Sequence, residues 1–295
     1  MRFRWTKLSE SNFKWYFKKI PFPNGGLADP MNEERRLLRA HTFDEIAELY
    51  DHGRRECPAF LIDDLFALAE IKASEARVLE VGCGTGQATL PLARRGCSIV
   101  CVEMGANLAR IARRKLASFP HVQIVNAPFE NWESNGAQFD IVLAVTSWHW
   151  IDPRIRYSRA AAALRPRGVL AFTTGGHAFA PGFDPFFSQI QNCYDSIGHA
   201  GISWPPPPPD EVPDACEEIE RSGCFHDVRI ARRVWTEEFT ADEYVAMMST
   251  ASDHHLMEPA KRDRLFAEMR RLIAQRPSGR ITRHNLTILH VARKK

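Results

Sequence analysis

The sequence predicts an α/β fold, doubly wound around a mostly parallel sheet, and three observations carry that expectation. Short β-branched runs recur at Arg77–Val81, Ser98–Glu103, Val122–Val125, Phe139–Val145 and Gly168–Thr174, interleaved with stretches of helical spacing. Strands that alternate with helices in this way need right-handed crossovers, which produce parallel pairing. The first of these strands runs into a loop with glycine at alternate positions (Gly82, Gly84 and Gly86), and the second ends on an acid, Glu103. A glycine loop that opens a helix, followed by a strand ending in an acid, is the order of a nucleotide-type ligand site at the carboxyl edge of such a sheet.

Each element has a local reason. Helical spacing covers Asn32–Leu49 and Pro58–Ile71 ahead of the first strand. The glycine loop leads into a helix reaching Arg95, and a second crossover helix spans Asn107–Ser118. Arg154–Leu164 reads as helix and is stopped at Arg165-Pro166, because proline lacks the N–H and clashes with the preceding turn. The segment Gly175–Asp210 then breaks the pattern: it is rich in glycine, phenylalanine and proline, and ends in five prolines, Pro205–Pro209. Such a run is stiff polyproline II and cannot join a sheet. Its place after the fifth strand makes Phe179–Trp204 a candidate wall or lid over the ligand edge. Ala241–Thr250 and Pro259–Gln275 are helical in pattern, the latter with Arg270, Arg271 and nearby Arg276 as a solvated basic face.

The loop chemistry narrows the ligand. A dinucleotide fingerprint needs its third glycine three residues after the second, and Gly86 comes one residue too early. No Gly-Lys-Ser/Thr triplet offers a phosphate cradle. Glu80, two residues before Gly82, would repel a phosphate and suit an ammonium group instead. Adenosine, no phosphate and a zwitterionic tail describe S-adenosylmethionine. The runs VLEVGCGTG, VEMGANL, FDIVLAV, SWHWIDP and LRPRGVLAF resemble those of class I S-adenosylmethionine-dependent methyltransferases of the small-molecule kind called methyltransferase type 11. The resemblance covers about Phe43 to Thr174, with a looser match to the C-terminus. It implies a Rossmann-like seven-stranded sheet completed by Val228–Trp235 and Asn285–Ala292 as an antiparallel hairpin. It also implies an N-terminal extension 1–40 and a methyltransferase domain 41–295, with core 73–175 and insertion plus C-terminal part 176–295.

Site roles follow from the resemblance. Glu103 is expected on the ribose hydroxyls, because a fixed carboxylate makes charge-assisted bonds there. Met104 is expected on the adenine face. Asn126 stands where the family usually has aspartate and is expected at the adenine amino group, with the N–H of Ala127 or Phe129 donating to the ring. Gly82, Gly84 and Gly86 bring backbone close to the ligand, and the carbonyl of Ala144 or Val145 accepts from the ammonium. Tyr50 and Arg54 match a region that folds over the cofactor, Arg54 toward the methionine carboxylate. His149, between Trp148 and Trp150, is the candidate catalytic residue, either as a base for a protic acceptor or as a packed wall of the site.

Composition bounds the rest. With 295 residues, 44% of them hydrophobic, the chain can bury a full core. No run approaches the roughly 20 apolar residues of a membrane span, and no apolar signal core opens the chain, so the expected compartment is the cytoplasm. Six basic side chains in residues 1–20 face Glu10 alone, so within a net charge of +3 the rest of the chain is slightly acidic. The body therefore lacks the basic surplus of a nucleic-acid enzyme. The basic and aromatic residues 1–20 read either as an arm for nucleic acid or a membrane surface, or as a tail outside the fold, Met31 being an alternative start. The seven cysteines form no C-x-x-C pair and read as reduced thiols. His254 and His255 read as surface residues without metal-ligand spacing. The chain is thus expected to methylate a small-molecule acceptor at oxygen, nitrogen or carboxylate. The alternatives are a nucleic-acid or protein methyltransferase and a non-catalytic binder of the same cofactor. Against the first stands Thr146-Ser147-Trp148-His149, where an Asp/Asn-Pro-Pro-aromatic box would be needed.

Overall fold

The computed structural model describes residue 38, residues 41–199 and residues 206–295. The expected N-terminal extension 1–40, residue 38 apart, and residues 200–205 of the proline-rich insertion lie outside them. Helices α1 (Ala47–Gly53) and α2 (Ala59–Ala69) lead into β1 (Arg77–Val81). The alternation continues as α3 (Thr89–Arg94), β2 (Ser98–Glu103), α4 (Ala106–Lys115) and β3 (Val122–Asn126). It runs on through β4 (Phe139–Ala144), α5 (Arg156–Ala163) and β5 (Leu164–His177). Helices α6 (Phe186–Ser196) and α7 (Cys216–Arg221) precede β6 (Phe225–Thr240). Then come α8 (Ala241–Ser249), α9 (Ser252–His255), α10 (Pro259–Ala274) and β7 (Arg280–Lys294).

The strands form one seven-stranded sheet in the order β3-β2-β1-β4-β5-β7-β6. Neighbours from β3 to β5 pair in parallel, and β7 runs antiparallel between β5 and β6. The expected fold class, antiparallel C-terminal pair included, is the one observed. The pair is longer than its apolar runs, 16 and 15 residues, and its connection carries α8, α9 and α10. The order reverses at β1, which has β2 on one side and β4 on the other. There the two loops leave toward opposite faces and open a crevice at the carboxyl edge.

Burial on both faces explains why the central strands read as continuous apolar runs. Val78 belongs to a cluster with Leu61, Ile62 and Leu65 of α2. Its neighbour Leu79 belongs to the opposite cluster, with Phe139, Tyr157 and Phe172. Asp140, buried in β4, accepts the Arg77 N–H at 2.7 Å and pairs with Arg165, which ties the amino ends of three strands together. β5 starts at Leu164, earlier than expected; Pro166 is accommodated because the ladder shifts register and leaves no partner between Leu164 and Val169.

Two expectations are revised and one is kept. The insertion holds a helix, α6, whose Phe186, Phe187, Ile190 and Cys193 are buried in a third cluster with Tyr244, Met269 and Ile273. Asp184 fixes its start, accepting from the Phe186 N–H at 2.9 Å and the Thr282 N–H at 3.1 Å. The basic face of α10 is exposed as expected, Arg270 pairing with Asp242 and Arg271 with Glu268 at the surface, while Arg276 beyond the helix pairs with Asp184. His254 is buried, its ring nitrogens meeting the Tyr194 hydroxyl at 2.8 Å and Asp253 at 3.0 Å. Tertiary partners from distant segments cover it, which its local sequence does not show. The described cysteines are all free, and no described helix is long and apolar enough to cross a membrane.

Leu79→Ala empties volume between β1 and the aromatic cluster. The expected cost is about 2–5 kcal/mol, read as a lower urea midpoint with an unchanged m-value.

Candidate functional site

The turn after β1 shapes the site. Gly82 (φ 71°), Gly84 (φ 58°) and Gly86 (φ 95°) all take left-handed backbone, which lets the strand reverse into α3 within a few residues. A Cβ at Gly82 would lie 2.7 Å from Ser147 Cβ, so the loops after β1 and β4 touch there. The Ser147 hydroxyl completes that contact by donating to the Val81 carbonyl. A Cβ at Gly84 would meet the Tyr50 ring at 3.4 Å, which brings α1 over the loop.

A cavity opens between these segments at the carboxyl ends of β1, β2 and β4. Glu80, Gly82, Gly84, Glu103 and Met104 line its floor, and Tyr50, Arg54, Phe129 and Val145 line its sides. Three expected residues are not among the lining: Gly86, Asn126 and Ala127. Gly86 faces Leu116 on the helix side. The Asn126 amide donates to the carbonyls of Glu103 and Met104, at 2.9 and 3.0 Å, so it holds the turn after β2 from behind. Phe43, Gln87 and Trp150 complete the walls and were not singled out from the sequence. Phe43 rings lie 5.7 Å from both Tyr50 and Trp150, an edge-on aromatic contact that only the fold creates.

Two buried acids dominate the floor. Glu103 accepts from the Gly84 N–H at 2.9 Å and the Gly105 N–H at 2.8 Å. Burial pushes its carboxyl up to about 7, against the pull of those two N–H groups, with Asp44 adding to the rise. Glu80 accepts from the Thr89 hydroxyl at 2.7 Å and lies 3.8 Å from Cys101 Sγ. Burial lifts it to about 7 as well, eased by Thr89 and Cys101 and raised further by Glu103. Asp44 caps α4, accepting from the N–H groups of Asn107 at 2.7 Å and Leu108 at 3.0 Å, and so ties the N-terminal side of the site to the turn after β2. Arg54 donates to the Thr250 hydroxyl at 2.7 Å, and its guanidinium lies 5.6 Å from the Tyr50 ring centre.

A second cavity adjoins the first. It shares Tyr50, Arg54, Gln87, Val145 and Thr146 with it and extends between β5, β6 and β7. His149 lines this one rather than the first. Its ring packs 4.5 Å from that of Trp150, and burial pulls its pKa down to about 4, the Arg156 cation adding to the fall. The imidazole is therefore neutral near pH 7. Residues from the C-terminal strands, among them Trp235, Glu237, Arg283 and Asn285, line the far side. They alternate along β6 and β7 and belong to no motif, so nothing in the linear sequence marks them.

Does the first cavity fit the cofactor the sequence points to? Its floor offers an acid at the end of β2 with free lone-pair sites, a second acid by the glycine loop, and backbone approachable at Gly82 and Gly84. These groups fit the ribose hydroxyls and the ammonium of S-adenosylmethionine, and Arg54 on the side fits its carboxylate.

Comparison with known proteins agrees. The family model described as methyltransferase domain matches residues 78–168. The chain is similar to an uncharacterized methyltransferase of Mycobacterium tuberculosis, 26% identical over 240 residues that cover 80% of this chain and 87% of that protein. It is also similar to the malonyl-[acyl-carrier protein] O-methyltransferase of Enterobacter lignolyticus, 36% identical over 126 residues, 42% of this chain and 47% of that one. Among solved structures, one described as a 'Putative Type II Methyltransferase' from Anaeromyxobacter dehalogenans superposes with a TM-score of 0.57 at 22% identity, covering 81% of this chain and 97% of that one. The domain model and the likeness over most of the chain to a methyltransferase support a class I S-adenosylmethionine-dependent methyltransferase, and the solved neighbour shares its fold.

Gly82→Ala places a Cβ against Ser147 on left-handed backbone. The expected cost is about 1–3 kcal/mol of stability and a roughly tenfold loss of S-adenosylhomocysteine affinity. Urea unfolding and calorimetric titration read these. Gly136→Ala, with nothing within 4 Å, is the control and leaves that affinity unchanged.

Proposed function

We propose that this S-adenosylmethionine-dependent methyltransferase passes its methyl group to a small-molecule acceptor, at an oxygen, nitrogen or carboxylate group, by in-line displacement. The observation that carries this reading is the pair of adjoining cavities with a common wall of Tyr50, Arg54, Gln87, Val145 and Thr146. One suits the donor, and the other, set between side chains of β5, β6 and β7, is of a size for a small acceptor. The likeness to malonyl-[acyl-carrier protein] O-methyltransferases, partial in coverage, supports oxygen as the acceptor atom.

In this reading Glu103 takes the ribose hydroxyls while keeping the Gly84 and Gly105 N–H groups, since a carboxylate has about four lone-pair sites. Met104 and Phe129 flank the adenine. Asn126 and Ala127 act from behind, Asn126 by holding the carbonyls of Glu103 and Met104. Glu80 and the Val145 backbone face the ammonium, and Arg54 the methionine carboxylate. Gly86 serves through the turn it allows. The cofactor supplies a methyl group on a sulfonium, already activated toward a lone pair. What the chain must add is alignment and exclusion of water, which can lower such a barrier by several kcal/mol, up to roughly 7–11 in well-oriented model systems. Tyr50, Trp150 and Phe43 close the site over the donor. His149, neutral and bordering the acceptor cavity, orients an acceptor by a hydrogen bond. Its low pKa makes it a weak proton acceptor near pH 7.

Two measurements test this. Glu103 binds ribose hydroxyls best when ionised, and its raised pKa leaves it largely protonated at pH 6. S-Adenosylhomocysteine affinity should therefore rise by up to about tenfold between pH 6 and pH 8, and Glu103→Gln should lose about tenfold or more at pH 8 and flatten the rise. Incubation of the enzyme and methyl-labelled donor with a cell extract should place label in the acid-soluble small-molecule fraction. Label confined to precipitable protein or nucleic acid would refute the proposed acceptor class.

A further inference from the structure

The second cavity holds a cation that nothing in the donor site uses. Arg283 stands directly opposite Glu237 in the β6–β7 register, a position where oppositely charged neighbours normally pair. They do not pair here. The Arg283 guanidinium donates to Asn285 Oδ1, and Asn285 Nδ2 donates to Glu237 at 2.9 Å, so the amide stands between the two charges. Glu237 turns instead toward Arg55, 3.7 Å away. Among the described residues no carboxylate lies within ion-pair distance of Arg283. Arg55 is compensated by Glu237 and Glu243 and rests on the Phe239 ring. Arg54 belongs to the shared wall and is assigned above to the donor.

Elsewhere in the same cavity the Thr174 hydroxyl is buried and has no hydrogen-bond partner among the described residues. Trp235, Phe239 and Leu286 supply apolar wall. A guanidinium held away from its nearest acid, an unsatisfied hydroxyl and apolar sides suit a small anion with an apolar body. A buried charge or hydroxyl without a partner is unfavourable unless a ligand completes it.

We infer that the acceptor carries a carboxylate, which binds Arg283, and that its apolar body lies along Trp235 and Phe239 toward the shared wall. The guanidinium fork matches a planar carboxylate in two parallel hydrogen bonds. Glu237 nearby disfavours a doubly charged phosphate more than a singly charged carboxylate. The inference rests on the reading of the second cavity as the acceptor site.

The test is calorimetric titration of the full chain, first with S-adenosylhomocysteine and then, at its saturation, with phenylacetate and hexanoate against phenylacetamide and hexanamide. The expected result is at least tenfold tighter binding of the carboxylates, a preference that Arg283→Gln abolishes and Arg283→Lys partly keeps, with S-adenosylhomocysteine affinity unchanged. Equal binding of acids and amides, or no binding of either by protein that holds S-adenosylhomocysteine, overturns the inference alone. Failure of the wild type to bind S-adenosylhomocysteine overturns the donor-site reading and this one with it. If Arg283→Gln does not fold, the wild-type ratio and Arg283→Lys decide the matter.

Discussion

The site depends on one buried carboxylate. Glu103 ends β2, beside the strand at which the sheet order reverses, and it collects N–H groups from the loops after β1 and β2, through Gly84 and Gly105. A buried acid that gathers donors in this way fixes loops that have no regular structure of their own. Without it, the buried Gly105 N–H would lose its acceptor, at a cost of about 1–3 kcal/mol, and the half-buried Gly84 N–H would lose its own. The supports converge on the same point: Asn126 holds the Glu103 and Met104 carbonyls, and Asp44 caps α4 next to Gly105. The carboxyl group is itself under tension, because burial raises it to about 7 even with those donors in place.

The two cavities differ in electrostatic sign. Glu80 and Glu103 lie under the first, each destabilised as an anion by burial, so cationic or hydroxyl-bearing ligand groups relieve them. The second has guanidinium groups in excess of nearby free acids, because Glu237 is engaged by Arg55 and Asn285. Arg54 sits on the wall between them, its nearest polar partner the neutral Thr250 hydroxyl. In the proposed reading this division orients a zwitterionic donor and an anionic acceptor toward one another without a titrating side chain at the point of transfer. His149, held neutral by burial, fits that arrangement.

Much of the fold was legible because its signals are local. Strands β1, β2 and β4 are short apolar runs buried on both faces, and the glycines of the first turn have positive φ for steric reasons visible in the sequence alone. What was not legible depends on distant partners. Helix α6 is masked by flanking glycine and proline and exists through its packing on Tyr244 and Met269. His254 looks like a surface residue until Tyr194 and Phe266 close over it. At the candidate site, the acids and glycines stood out by spacing. Arg283, Asn285 and Trp235 did not, since residues that share a face of paired strands are separated in sequence by the alternation of the pleat.

The last strand in the sheet order has a further consequence. Among the described residues, β6 runs for 16 residues with a neighbour on one side only, a long open ladder that another chain could extend. Its alternating surface is instead crowded with charge, and that charge is tied inward: Arg233 meets Asp64 of α2 at 2.8 Å, and Arg229 meets Glu70 at 2.7 Å. Exposed Ile230 and Val234 sit among these ion pairs. A strand approaching this edge would have to strip water from fixed guanidinium groups before it gained a single backbone hydrogen bond. The pairs add little to folding stability at an exposed surface, yet they set a barrier to edge-on aggregation, which the short opposite edge, β3, limits by its length alone.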